Sequence, residues 1–142
     1  MSQFIIDCEC VIEHDGKFLV IERPAGVHGG GLLAFPGGKL ESKDGEGEAN
    51  ALEAGARREL EEEVGIRFEG PLHYVTSSMF PDTKLGVLCV AAIFHGLCVG
   101  EQPVLNPSKR EVVTFHWLTK TELINHPLCP PWMKRYAKAL GS

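Results

Sequence analysis

Apolar and polar residues alternate with two rhythms along this chain, one of period two and one of period 3.6. Phe4 to Glu13, rich in Ile, Val and Cys, predicts a strand, and Phe18 to Glu22 predicts a second. Between them His14-Asp15-Gly16-Lys17 carries the Asp-Gly signal of a tight hairpin. From 24 to 47 the rhythm stops. Glycines crowd this stretch with Pro24 and Pro36, which predicts a long loop, and long ordered loops often carry function. Ala49, Leu52, Ala56, Leu60 and Val64 then form a stripe at helical spacing, so Ala49 to Val64 predicts a helix that Gly65 ends in a left-handed cap. His73 to Phe80 and Gly86 to His95 predict two further strands. After the polar stretch Glu101 to Arg110, Glu111 to Leu118 predicts another strand, with Val113, Phe115 and Trp117 alternating against Val112, Thr114 and His116. Thr119 and Glu122 form a capping box for a short helix through Asn125, and Trp132 to Leu140 predicts the last helix, behind Pro130-Pro131. Strands on both sides of a central helix predict an α/β fold, a mixed sheet with helices packed on it, in one domain over residues 1–142.

Composition narrows the class. Apolar residues make up 44% and charged residues 23% of the 142, ordinary for a globular protein with a real core. The net charge of −5 argues against a broad surface for polymeric nucleic acid, yet leaves room for a single nucleotide beside a bound cation. No apolar run reaches 18 residues, so no membrane span is expected. Met1-Ser2-Gln3 lacks the basic start of a signal segment. Cys8, Cys10, Cys89, Cys98 and Cys129 are odd in number and without Cys-x-x-Cys spacing, which points to neither disulfides nor zinc. A reducing, cytoplasmic setting is the expectation.

The chemistry is concentrated in Arg58-Glu59-Leu60-Glu61-Glu62-Glu63-Val64-Gly65-Ile66, downstream of Phe35-Pro36-Gly37-Gly38-Lys39-Leu40-Glu41. On a helix Glu59, Glu62 and Glu63 fall at i, i+3 and i+4 and share one face, while Glu61 points away. Like charges so placed cost an isolated helix about 0.2–0.5 kcal/mol per pair. A hard divalent cation turns that repulsion into coordination. A glutamate-rich helix face is by itself ordinary solvated surface. At average residue usage, however, the full Arg-Glu…Glu-Glu-x-Gly pattern arises in a chain this long only on the order of once in 10⁵.

These residues resemble the Nudix hydrolase box, G-x5-E-x7-R-E-U-x-E-E-x-G-U with U aliphatic. The second half matches from Arg58 to Ile66, and the first half matches at Gly37, Gly38 and Glu41. The spacing departs: counted back from Arg58 the first glutamate falls on Asn50, and counted forward from Gly38 it falls on Asp44. A six-residue insertion within 42–50 accounts for this, and Asp44, Glu46 or Glu48 could take that role, with Glu46 as the provisional choice.

The resemblance implies the Nudix α/β/α sandwich and a metal-dependent pyrophosphohydrolase acting on a nucleoside diphosphate derivative, either a nucleoside triphosphate or a nucleotide sugar such as ADP-ribose. It implies Mg2+ or Mn2+ held by Glu59, Glu63 and Glu62 with a backbone carbonyl at Gly38. Arg58 would orient an acidic loop residue, or else form a plain i, i+4 pair with Glu62. Glu41 would line the turn. For the general base, Glu111 is preferred over Glu101. Arg23 and Lys39 are candidates for phosphate, and Phe80, with Phe4, Tyr74, Phe115 and Trp132, for the base. His28 lacks metal-ligand spacing. A homodimer is compatible with such a chain. The alternative is a catalytically weak Nudix-like module that senses a nucleotide; a chance acidic helix on an interaction domain is the third reading.

Overall fold

The computed structural model describes residues 3–26, 30–105, 112 and 114–141. The first hairpin follows from its turn. Asp15 and Gly16 both take positive φ, 51° and 75°, which suits the twist joining β1 (Phe4–His14) to β2 (Lys17–Glu22). The long loop is more ordered than its composition predicts. It contains two short strands, β3 (Leu33–Ala34) on β2 and β4 (Gly37–Lys39) on β1. Their own propensity is poor, and they exist because established neighbours offer them backbone partners.

The helix α1 runs Ala51–Val64, two residues shorter than its stripe suggests. Ala49 is exposed ahead of it, and Asn50 enters in a left-handed conformation without a side-chain cap. Ala56, Leu60 and Val64 are fully buried, and the Gly65 N–H closes on the Glu61 carbonyl at 2.9 Å. Strands β5 (His73–Asp82) and β6 (Val87–Leu97) form an antiparallel pair, and β7 (Thr114–Leu118) lies on β2. Thr119 and Glu122 complete the expected capping box of α2 (Lys120–Ile124), and α3 (Pro131–Ala139) opens on a proline.

Among the described residues the order β3-β2-β1-β6-β5 gives one mixed sheet whose centre is the parallel pair β1–β6, with β4 on β1 and β7 on β2. Alternation along β1 divides the core. Cys8, Cys10 and Ile12 pack under α1, whereas Val11 packs with Met133, Tyr136 and Ala137 of α3. Burial pushes the Cys8 and Cys10 thiols up to about 12, so they act as small apolar residues. No described helix is long and apolar enough to cross a membrane.

Candidate active site

The acidic helix meets the glycine turn at β4. Glu63, 5% exposed, accepts the Gly37 N–H at 2.7 Å. Glu59 presses on the next residue: a Cβ at Gly38 would lie 2.6 Å from its carboxyl carbon and 2.6–2.7 Å from its oxygens. Gly38 therefore supplies a cradle that only a residue without a side chain leaves open. Gly55 serves the same approach from the helix, since a Cβ there would meet Leu40 at 3.0 Å, Cys8 at 3.2 Å and Asp44 at 3.3 Å.

Arg58 organises the cluster. Its Nε and Nη2 donate to the two oxygens of Asp44 at 2.6 and 2.9 Å. Nη1 donates to Glu59 at 2.8 Å and Glu62 at 3.0 Å, and Nη2 also donates to the Lys39 carbonyl at 2.9 Å. A guanidinium has five N–H donors, and these contacts engage them all. Arg58 thus has no donor left over for a substrate. Of its two sequence-based roles, both occur: it clamps a loop acid and pairs with Glu62.

The loop acid is Asp44, which corrects the provisional choice of Glu46. Asp44 is 5% exposed and also accepts the Glu41 N–H at 2.8 Å, whereas Glu48 is exposed. The forward count from Gly38 was the right one, and the extra residues come after the acid. They form an excursion that returns on itself. Gly45 takes φ 92°, the Glu48 N–H bonds the Gly45 carbonyl, and a Cβ at Gly45 would lie 3.5 Å from the Ala51 Cα.

The hydrogen bonds from Arg58 hold the Asp44 carboxyl below the usual carboxylate range, and Arg58 is raised in turn. The folded-state pKa of Asp44 lies below its unfolded value near 3.8. The linked stability is therefore complete above about pH 4 and is lost as pH falls through the folded pKa. Breaking a buried pair of this kind costs about 3–5 kcal/mol. Asp44→Asn is expected to melt earlier than the parent at pH 7 and to show a flatter acid limb between pH 5 and 2 (the window expected for a depressed carboxylate, roughly). Parallel melting curves over that range check it.

Other expected residues have definite places. Glu62 is more exposed, with its side chain at 35%, and faces Arg58 and Lys43. Glu41 pairs with Lys43 at 3.2 Å and stands 3.8 Å from Arg58. Lys39 lies opposite Asp7 in register and reaches Asp82 at 3.9 Å. Phe80 packs into the core beneath α3, away from α1, and Arg23 lies close enough to Glu9 for its charge to act there. Phe4, Tyr74 and Trp132 are exposed, and Phe115 packs in the core beneath α1. Glu101 accepts the Val99 N–H beyond β6, and the charge of His14, the last residue of β1, reaches it. Glu111 and His28 lie outside the described residues.

The donors fit a hard divalent cation, being carboxylate and backbone oxygens around a glycine cradle. Among the described residues no three acids already form a finished metal-holding group, because Arg58 lies between Glu59 and Glu62 while Glu63 holds Gly37.

Comparison with known proteins agrees with this geometry. The family model of the NUDIX domain matches residues 6–140. The CTP pyrophosphohydrolase of Escherichia coli (strain K12) is 43% identical over 56 residues, covering 39% of this chain and 37% of that protein's length. The solution structure of the E. coli ORF135 protein is similar with a TM-score of 0.73 at 27% identity, over 97% of this chain and 89% of that one. The MutT NUDIX hydrolase from Burkholderia pseudomallei shares the fold with a TM-score of 0.77 at 23% identity, over 99% and 100% of the two chains.

Proposed function

The chain belongs to the NUDIX family, and on that premise we propose that it is a pyrophosphohydrolase dependent on a divalent metal, Mg2+ or Mn2+. Its substrate is a nucleoside diphosphate derivative, a nucleoside triphosphate before a nucleotide sugar such as ADP-ribose. The products are a nucleoside monophosphate and either pyrophosphate or the phosphorylated second moiety. The observation that carries this reading is the seating of Glu63 on the Gly37 N–H and of Glu59 against Gly38, with Arg58 locked behind them by Asp44. The printed name of the E. coli relative supports a triphosphate.

Glu59, Glu63 and Glu62, with the Gly38 carbonyl, would hold the cation. When bound, it supplies charge neutralisation for the phosphates and a more acidic water. The chain's own groups do the rest. Arg58 keeps the Glu59 and Glu62 carboxylates from splaying apart, through bonds of 2.8 and 3.0 Å. Lys39 and Arg23 offer positive charge to phosphate oxygens. Glu111 is the preferred acceptor of the proton from attacking water, and Glu62, partly exposed, is the second candidate for that task. A module that only senses a nucleotide would be favoured by a loop acid displaced from the arginine, whereas Asp44 meets Arg58 with two bonds despite the insertion.

The test is a panel of nucleotides assayed with magnesium and with manganese. Removing metal with a chelator is expected to abolish product release, and restoring either ion to recover it. Hydrolysis in 18O-labelled water identifies the phosphorus attacked. Full turnover in chelator, or none with any nucleotide, contradicts the proposal.

A further inference from the structure

We propose that Asp7 and Glu9 read the nucleobase, selecting one with an exocyclic amine beside an unprotonated ring nitrogen, the edge shared by cytosine and adenine. This rests on the pyrophosphohydrolase reading and specifies its substrate. The placement follows from β1. Cys8 and Cys10 lie under α1, so Asp7 and Glu9 face the other side, in line with the fully buried Val11. An apolar residue is the ordinary occupant of such a position. Half-buried, an acid there gives up part of its hydration, and Glu9 has Asp7 beside it as a like charge and Arg23 as a counter-charge.

A hydroxyl and an aromatic ring border the same face. The Tyr136 hydroxyl, on α3, bonds Ser78 of β5 at 2.5 Å, and Phe80 lies two residues further along the same strand face. The charges of Glu9 and Asp7 both reach the Tyr136 hydroxyl. Lys39 and Asp82 flank Asp7, whose charge also acts on the Cys89 thiol. Glu9 is also next to the acidic cluster without belonging to it. It pairs in register with Gly37, whose N–H Glu63 holds. Across β4, Gly38 meets Glu59 on the α1 side while Lys39 lies on the side of Asp7. A nucleotide draped over this short edge strand puts its phosphates toward the carboxylates of α1 and its base toward Asp7 and Glu9.

The hydrogen-bond pattern then decides the base. Burial and neighbouring Asp7 push the Glu9 carboxyl up to about 8, against the pull of Arg23. It offers a donor and an acceptor together, which can pair with the ring nitrogen and amine of cytosine or adenine as well as with the N–H and carbonyl of uracil or hypoxanthine, so the choice falls to Asp7. Asp7 accepts the second amine hydrogen. In uracil or hypoxanthine a carbonyl replaces that amine and confronts the Asp7 lone pairs, leaving buried polar groups unpaired.

The experiment compares kcat/KM for CTP against UTP and for ATP against ITP, in the parent, Asp7→Asn and Glu9→Gln. The parent is expected to favour the amino-bearing member of each pair at least about 10-fold. Asp7→Asn can turn an amide N–H toward the carbonyl, so its CTP/UTP ratio is expected to fall about 10-fold, more through KM than kcat. Calorimetric binding of CMP and UMP asks the same question without turnover, and melting curves establish that each variant folds. A parent that hydrolyses both members of a pair equally, or ratios unchanged in both folded variants, overturns the assignment while leaving the pyrophosphohydrolase intact. Preferential CMP binding without hydrolysis of any nucleotide supports the base reading and refutes the enzyme.

Discussion

Replacing Glu63 by glutamine is expected to lower kcat by about 10²–10³-fold, the range for losing one preorganised electrostatic group, while the fold survives. Glu63 is buried, and its Oε1 accepts the Gly37 N–H. A glutamine has nearly the same shape, and its carbonyl oxygen accepts that bond equally well. What disappears is the negative charge. In the parent that carboxylate sits buried beside the glycine turn, where a bound cation would offset its charge. Stability is therefore expected to hold or rise slightly while turnover and metal affinity fall together. Turnover with magnesium, a metal titration and a melting curve provide the three readings. Parent-like turnover would show that this carboxylate lies outside the reaction.

Gly38→Ala is expected to weaken metal binding about 10–100-fold, the range for disturbing a ligand's support, with a modest loss of stability. The new methyl group would occupy the place of the Glu59 carboxylate, 2.6 Å from its carbon. Its three nearest atoms all belong to the far end of the flexible Glu59 side chain, which can swing away. Doing so gives up the 2.8 Å bond from Arg58 and leaves that guanidinium donor to find water. Gly37→Ala provides the contrast. Its Cβ would strike the Cys8 carbonyl at 2.6 Å and the Glu9 Cα at 2.8 Å, both backbone of β1. Relief there requires β4 to move off the sheet, so stability should suffer first, by about 1–3 kcal/mol or more. Metal affinity and melting temperature, measured on both variants, separate the cases. If Gly38→Ala binds metal as the parent does, Glu59 is not a ligand.

The parts of this architecture that were legible beforehand are those whose cause is local. The α1 stripe, its glycine end, the Asp-Gly hairpin and the Thr119–Glu122 capping box all follow from neighbouring residues. The strands β3 and β4 do not. Gly37 and Gly38 have no intrinsic reason to extend, and they become a strand because Cys8 and Glu9 offer backbone partners. The choice of Asp44 over Glu46 is likewise settled in space, by the two bonds from Arg58. A signal for it existed in the count from Gly38, but the competing count from Arg58 obscured it. Asp7 and Glu9 were hidden within a strand noted for its Ile, Val and Cys. Their significance emerges only when the face carrying Cys8 and Cys10 is identified as the one beneath α1. The alternation places Phe80 on a strand, yet its position beneath α3 depends on how the sheet is layered.

The way Gly45 comes back beside Ala51 bears on how relatives of this chain are to be found. Contour length and spatial separation are uncoupled at that point, so descent can lengthen or trim the detour while the clamp behind it stays put. A search template written with a rigid interval there will pass over such proteins. One that allows a gap of variable width between the loop acid and the arginine will recover them.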